Sequence, residues 1–455
     1  MNTQSNPPQR GRRSSRGQVT AFVLVWIFIT LVMGACTFIA IYFASGEANL
    51  IGLAAAAPSP TPIEATATLL PTIAPPTETP TIPTDVPAVP AEPSPTPTTL
   101  PRLDTDTFGY GIQVQENYDL QDYWYELVSD RLGLSWVKQQ VRWEVIELER
   151  GNIDWSMLDL VVPAADRHGL KLMLSVVTTP DWARPAGADL SKHGPPANFQ
   201  DYVNFITAIL ERYPGKIHAI EVWNEQNLDR EWSDPQGLSA ARYVEMLALA
   251  YNAIRAVDPG VIVISGALSP TGVTGPGSID DFRFFDQMIA AGMLNYTDCV
   301  GAHHNGYNIP PDAVWDDPST MGPQARNFTG PWTNLNHSWS FRSTLEYYYN
   351  AVVAAGGTQK LCVTEFGWAT ADDLDGYPRG FEFALDNTLQ EQADWIVQAF
   401  QWLAEWEGAW IAFLWNLNYG PQSGDPTNDN VPYSILALDG SPRPAFDALE
   451  AMPKQ

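Results

Sequence analysis

Residues 171–177 read KLMLSVV, and residues 199–224 read FQDYVNFITAILERYPGKIHAIEVWN. The first stretch is a short apolar run, the signature of a buried strand. The second opens with apolar residues every three or four positions over 199–213, as on one face of a helix, and then passes into a second apolar run at 217–224. Strand, helix, strand is one step of βα order, and it recurs outward in both directions. Candidate strands lie at 108–114, 136–142, 171–177, 217–224, 261–266, 298–304, 360–366 and 410–416. A second clear helix spans 240–256, with Asp258-Pro259-Gly260 as its stop. Eight βα units without a repeated sequence period predict an α/β fold, a single (β/α)8 TIM barrel. A doubly wound sheet is the alternative, but Gly109-Tyr110-Gly111-Ile112-Gln113-Val114 does not complete the glycine fingerprint that would follow its first strand.

Upstream of the barrel the composition changes twice. Residues 57–102 are dominated by Pro and Thr and have no period that could build a core. Ahead of them an apolar run from Val19 to about Ala44 follows Arg10, Arg12, Arg13 and Arg16. That length spans a bilayer, and the flanking arginines place the N-terminus in the cytoplasm. The expected organisation is a basic cytoplasmic segment (1–18), a transmembrane helix (19–45), a Pro/Thr-rich disordered linker (46–103) and a globular domain (104–455) on the extracytoplasmic side of the cell membrane. A cleaved signal peptide is the competing reading of 19–45, and it separates a tethered protein from a released one. The net charge of -27 argues against nucleic acid as a partner. Outside the apolar run only Cys299 and Cys362 remain. They are expected as buried free thiols, with a bridge between neighbouring strands as the other possibility.

In such a barrel, chemistry belongs at the C-terminal ends of the strands. Strand four ends Ile220-Glu221-Val222-Trp223-Asn224-Glu225-Gln226-Asn227, and strand seven ends Leu361-Cys362-Val363-Thr364-Glu365-Phe366-Gly367-Trp368. These strands stand on opposite sides of the barrel mouth, so Glu225 and Glu365 can face each other across a bound molecule. Two carboxyl groups so placed suit acid/base and nucleophilic work on a glycosidic bond, one protonated and one ionised.

With these strings the sequence resembles the retaining glycoside hydrolases of clan A over residues 108–449, nearest to the family 39 and family 5 branches, barrels of the cellulase and β-xylosidase type. The resemblance implies that Glu225 is the acid/base, that Glu365 is the nucleophile, and that Asn224 hydrogen-bonds the sugar 2-hydroxyl. It also implies that Arg142, ending strand two, contacts Glu365 and keeps it ionised; an ordinary surface ion pair is the other reading of Arg142. Strand six ends Gly301-Ala302-His303-His304-Asn305-Gly306-Tyr307 and departs from the clan's His-x-Tyr pattern, because Asn305 stands where the tyrosine belongs. His303 and Tyr307 are therefore the candidates there. Consecutive strand residues face opposite ways, so one histidine of the pair points inward, and no further His or Cys cluster suggests a metal.

Of the 17 tryptophans, Trp182, Trp368 and Trp415 lie at or just after strand ends and are candidate sugar-stacking platforms, whereas most of the others are core. The stretch 265–272 lacks the lysine of a phosphate loop and reads as an active-site wall. The long segment 308–336 suits a substrate-facing role. The resemblance implies hydrolysis of a poly- or oligosaccharide by double displacement, with no cofactor. Two other readings use the same chain: a polysaccharide-binding surface protein without catalysis, and an envelope transglycosylase using the same two glutamates.

Overall fold

The computed structural model describes residues 99–321 and 336–454. Eight strands form one parallel sheet: β1 (Gly109–Gln113), β2 (Trp136–Arg142), β3 (Lys171–Val177), β4 (Ala219–Val222), β5 (Ile262–Ser265), β6 (Val300–Gly306), β7 (Leu361–Trp368) and β8 (Ala409–Leu414). Their order is β5-β4-β3-β2-β1-β8-β7-β6. A parallel bridge between Ile264 and Cys299 joins the two remaining edges, and the barrel closes. The (β/α)8 architecture is as the alternating pattern predicts, with each strand within a few residues of its expected range.

Helices ring the outside for local reasons. Phe199–Arg212 is capped by Asn198, whose side chain accepts from Gln200 N. Ala240–Val257 is capped by Ser239 in the same way. At Leu389–Glu405 the caps are reciprocal: Thr388 Oγ1 accepts from Glu391 N while the Glu391 carboxylate accepts from Thr388 N. Each such cap satisfies helix-end donors and contributes about 1 kcal/mol.

Alternation along the strands sorts residues into two cores. Tyr110, Ile112, Val137, Val141, Leu172, Leu174 and Val363 face outward into the large core beneath the helices. Trp136, Met173, Ala219, Ile262, Ile264, Cys299, Cys362, Ile411 and Phe413 plug the lower interior. β1 makes room for that plug with glycine. A Cβ on Gly111 would lie 2.5 Å from the Phe413 ring, and one on Gly109 2.7 Å from the indole of Trp136. Within the plug Cys299, just before β6, and Cys362 on β7 form a disulfide, with Cα atoms 5.7 Å apart. This corrects the expectation of free thiols: a parallel ladder had already brought the two chains to bridging distance.

The expected transmembrane helix at 19–45 and nearly all of the 46–103 linker lie outside the described residues. Among those described, no helix is long and apolar enough to cross a membrane. The last linker residues run along the barrel floor, where Leu100 N donates to the Asp258 carboxylate at 3.0 and 3.2 Å.

Candidate active site

β2, β4, β6 and β7 each send a charged or ionisable side chain to the barrel axis above the apolar plug. Lys138 on β2 is fully buried, and its ammonium donates to Glu365 Oε1 at 2.8 Å and to the Thr364 carbonyl at 3.1 Å. It also faces Glu221 Oε2 at 3.7 Å. Glu221, equally buried, accepts from Thr364 Oγ1 at 2.6 Å. One cation thus balances two carboxylates that would repel each other if left alone.

Glu365 reaches this place because β7 is irregular. Ala302 pairs with Val363, but His303 pairs with Glu365, and Val363 and Phe366 of β7 pair with Ala412 and Leu414 of β8. β7 therefore carries one extra residue relative to both neighbours, a bulge at Thr364–Glu365 that turns both side chains toward the interior. The following Gly367 lets the strand lie against β8, since a Cβ there would sit 2.6 Å from the Trp415 carbonyl oxygen.

Glu225 follows β4 in a sharp turn. Trp223 and Glu225 have φ of 80° and 48°, left-handed values that L-residues adopt only when the surroundings hold them. The holding groups are visible. Trp223 packs edge-on to Tyr202 at 5.8 Å and to Trp232 at 5.4 Å, and its indole N–H donates to the Glu231 carbonyl at 3.2 Å. Glu225 N donates to the Ala267 carbonyl at 2.8 Å. Gly266 follows β5 directly, and a Cβ there would lie 2.7 Å from the Val222 carbonyl oxygen, so the 265–272 stretch forms the wall beside the turn.

His303 connects the two glutamates. Its Nδ1 lies 3.4 Å from Glu225 Oε1 and 3.8 Å from Glu365 Oε2. Two oxygens that share one nitrogen neighbour at these distances are at most about 7 Å apart, a ceiling that admits the roughly 5–5.5 Å spacing of a retaining pair. Burial pushes the His303 imidazole down, but the Glu365 charge and the Glu225 hydrogen bond outweigh it and raise the group above its usual 6.5. Burial also pushes the Glu225 carboxyl up; the His303 hydrogen bond and the charges of Arg230 and His303 overcome this and hold it at about 2. Arg230 Nη2 stands 3.1 Å from Glu225 Oε2. The neighbouring His304 faces the other way and meets the Ser338 carbonyl at 3.0 Å, as alternation requires.

The remaining candidates are dispersed. Asn224 stays beside Glu225, and its side-chain oxygen is buried without a hydrogen-bond partner among the described residues. Trp415 lies over the site, with the Lys138 ammonium 5.8 Å from its ring and Tyr419 packed at 5.3 Å. Arg142 does not meet Glu365. Its half-exposed guanidinium pairs with Glu144, and it lines a cleft of about 370 Å³ with Gln115, Glu116, Gln140 and Tyr419. Both Lys138 and Arg142 face inward on β2, and the deeper of the two is the one level with Glu365. Trp368 is buried, donating to the Ile309 carbonyl at 2.8 Å. Trp182 packs on Trp143 at 5.5 Å, under the Arg150 guanidinium at 4.4 Å. Tyr307 sits in an aromatic cluster, 5.1 Å from the Phe383 ring.

Four residues of the site escaped the sequence reading: Lys138, Glu221, Arg230 and Tyr433. The first two carried a signal, opposite charges in mid-strand at inward-facing positions. Tyr433 is buried, and its hydroxyl is raised well above 10 by that burial and by the charges of neighbours that include Glu365 and Glu225. Among the described residues one group, Asp280, Asp281 and His337, brings metal-ligand atoms together. The Asp281 carboxylate already accepts from Thr271 N, Gly272 N, Ser338 Oγ and Tyr348 Oη, which marks it as a structural hub.

No family model matches the sequence, and no curated protein matches it. Solved structures do. A family 39 glycoside hydrolase from the gut symbiont Bacteroides cellulosilyticus WH2 superposes with a TM-score of 0.55 at 18% identity, covering 78% of this chain and 65% of that one. A glucosidase from Croceicoccus marinus gives 0.51 at 13% identity, with 78% and 69% covered. The GH53 catalytic domain of Ignisphaera aggregans gives 0.50 at 18% identity, with 79% and 99% covered. The chain therefore spans about two thirds of the first two and nearly all of the third. At these identities the likeness establishes the fold, a (β/α)8 barrel shared with glycoside hydrolases.

Proposed function

We propose that the protein is a retaining β-glycosidase that hydrolyses O-glycosidic bonds of a poly- or oligosaccharide. The observation that carries this reading is the convergence of Glu225 and Glu365 on one nitrogen of His303, at 3.4 and 3.8 Å. In the first step Glu365 attacks the anomeric carbon while protonated Glu225 gives its proton to the departing oxygen. In the second, water attacks that carbon, the Glu225 carboxylate takes the water's proton, and the bond to Glu365 breaks. Lys138, at 2.8 Å, sets a positive charge against the Glu365 oxygen that stands in the axis. The unpartnered Asn224 oxygen is available to a sugar hydroxyl, Trp415 offers an aromatic face, and the cleft beside Arg142 has room for a further part of the chain. All of these steps use the protein's own side chains.

The same reading places the domain outside the cytoplasm, held by the apolar segment 19–45. Support comes from the Cys299–Cys362 disulfide, a bond that persists in oxidising compartments. Trapping tests the chemistry. Full-length protein is incubated with 2-deoxy-2-fluoro-β-glycosyl fluorides of glucose, xylose and mannose, and intact and peptide masses are recorded. One sugar adduct on Glu365 is expected. An adduct on another residue, or turnover undiminished in Glu365→Gln, overturns the assignment.

A further inference from the structure

Glu225 has no free oxygen. Oε1 meets His303 Nδ1, which donates when that nitrogen carries the proton, and Oε2 meets Arg230, which can only donate. An acid must carry its proton on one of those oxygens, and a guanidinium, with five N–H groups and no acceptor, occupies Oε2 only while that oxygen is bare. Arg230 is not buried in this position: its side chain is 67% exposed, against 13% for that of Glu225. A second partner is in place next door, because Arg230 Nε lies 3.5 Å from Glu231 Oε1. The other Glu231 oxygen is held by His193 Nδ1 at 3.2 Å. His193 Nε2 faces Glu144 at 3.6 Å. Glu144 in turn pairs with Arg142. A line of alternating charges thus runs along the mouth from β2 to Glu225 and ends on an exposed arginine with two carboxylates in reach.

We infer that Arg230 is a positioning residue for Glu225, resting on Oε2 while Glu225 serves as a bare carboxylate and turning outward to Glu231 when Glu225 carries the proton it donates. The inference rests on the acid/base assignment of Glu225 and assigns the device that lets one carboxyl play both parts. In the base step Arg230 holds Glu225 ionised and aimed. In the acid step the proton occupies the oxygen that Arg230 has left, and the arginine keeps its charge, neutralised by Glu231. The other ionisable groups around Glu225 are His303 from β6, Glu365 from β7, Glu221 from β4, and Asp429 and Tyr433 from the segment after β8. None of these has both the exposure and the alternative partner of Arg230.

The test has two readouts. Full-length protein labelled with 13Cδ-glutamate is titrated by NMR, with Glu225→Gln identifying the Glu225 resonance. In Arg230→Ala the Glu225 titration is expected to rise by a pH unit or more from about 2, and in Arg230→Lys by less. Glu231→Gln is then assayed on a phenyl and a 2,4-dinitrophenyl β-glycoside of one sugar. Loss of the outward partner is expected to lower kcat about tenfold on the phenyl glycoside, whose departure needs the proton, and to spare the dinitrophenyl one. An unmoved Glu225 titration in Arg230→Ala, or an equal loss on both glycosides, overturns the inference. Fluorosugar labelling of Glu365 reports separately on the reaction, so a failure there and a failure here are told apart.

Discussion

The two ends of the barrel are built from the same eight strands and share almost no chemistry. At the lower end Trp136, Met173, Ile264, Ile411 and Phe413 fill the interior, and a disulfide joins Cys299 to Cys362. At the upper end Lys138, Glu221, His303 and Glu365 occupy the axis. Apolar burial stabilises the first at roughly 25 cal/mol per Å². The second is held by charge compensation, which in a dry interior adds little net stability but fails badly when one partner is lost. Cohesion and reactivity are therefore properties of different ends, and substitutions can separate them.

Breaking the mouth should leave the fold standing. Glu365→Gln is expected to lower kcat/KM on the order of 10⁴-fold or more, as for a lost nucleophile, with an unchanged or higher Tm because Glu221 still faces the Lys138 ammonium and the second of two neighbouring buried carboxylates is gone. A parallel fall in Tm would mean that the two ends are not separable. Lys138→Met lies on the boundary between them. It leaves Glu221 and Glu365 facing each other without a cation, so a loss of about 3–5 kcal/mol in urea unfolding is expected, along with most of the activity. Retained stability would show the two carboxylates sharing a proton.

Breaking the floor should do the reverse. Cys299→Ser with Cys362→Ser is expected to cost about 2–5 kcal/mol while kcat stays within twofold. A change in kcat larger than the change in Tm explains would tie the plug to the chemistry. The smallest effects sharpen the contrast by their sign. His218, on the floor, is pushed down to about 4, first by burial and then by the Lys171 charge. The unfolded chain binds that proton near 6.5, so stability is complete above pH 6.5 and falls by about 3 kcal/mol as pH drops toward 4. His193, at the mouth, is raised, first by its hydrogen bond to Glu231. Its contribution is present below 6.5 and is lost as pH climbs through the raised value. The imidazole is more than a third exposed, so solvent screening keeps this below about 1 kcal/mol. Unfolding curves of His218→Gln and His193→Gln across pH 4–9 should lose opposite limbs.

How much of this could be read beforehand follows the same division. The barrel was legible because eight apolar runs alternate with helical ones, and periodicity is a local property. The strand-end glutamates and the inward His303 were legible for the same reason. Depth along a strand was not: Lys138 and Arg142 share a face on β2, and only the stagger of the closed barrel brings Lys138 level with Glu365. The disulfide was hidden by a separation of 63 residues, across which the sequence records no distance. Trp182 and Trp368 follow strands as a stacking platform would, yet the chain turns them onto Trp143 and the Ile309 carbonyl. The Arg230 contact depends on a left-handed turn at Trp223 and Glu225 that no glycine announces.

The bulge in β7 sets a parity on the protein. Counted by twos from Cys362, the inward positions would be Thr364 and Phe366, and Glu365 would point at the helices. One surplus residue changes odd to even partway along, so that Thr364 reaches across to β4 while Glu365 enters the axis. A deletion of a single codon there would shorten the chain by less than a quarter of one percent and exchange the inner and outer sets for the rest of the strand. Variation by length in β7 is thus closed to this sequence even where variation by substitution is open, and the count of its residues is as much a part of the site as their identity.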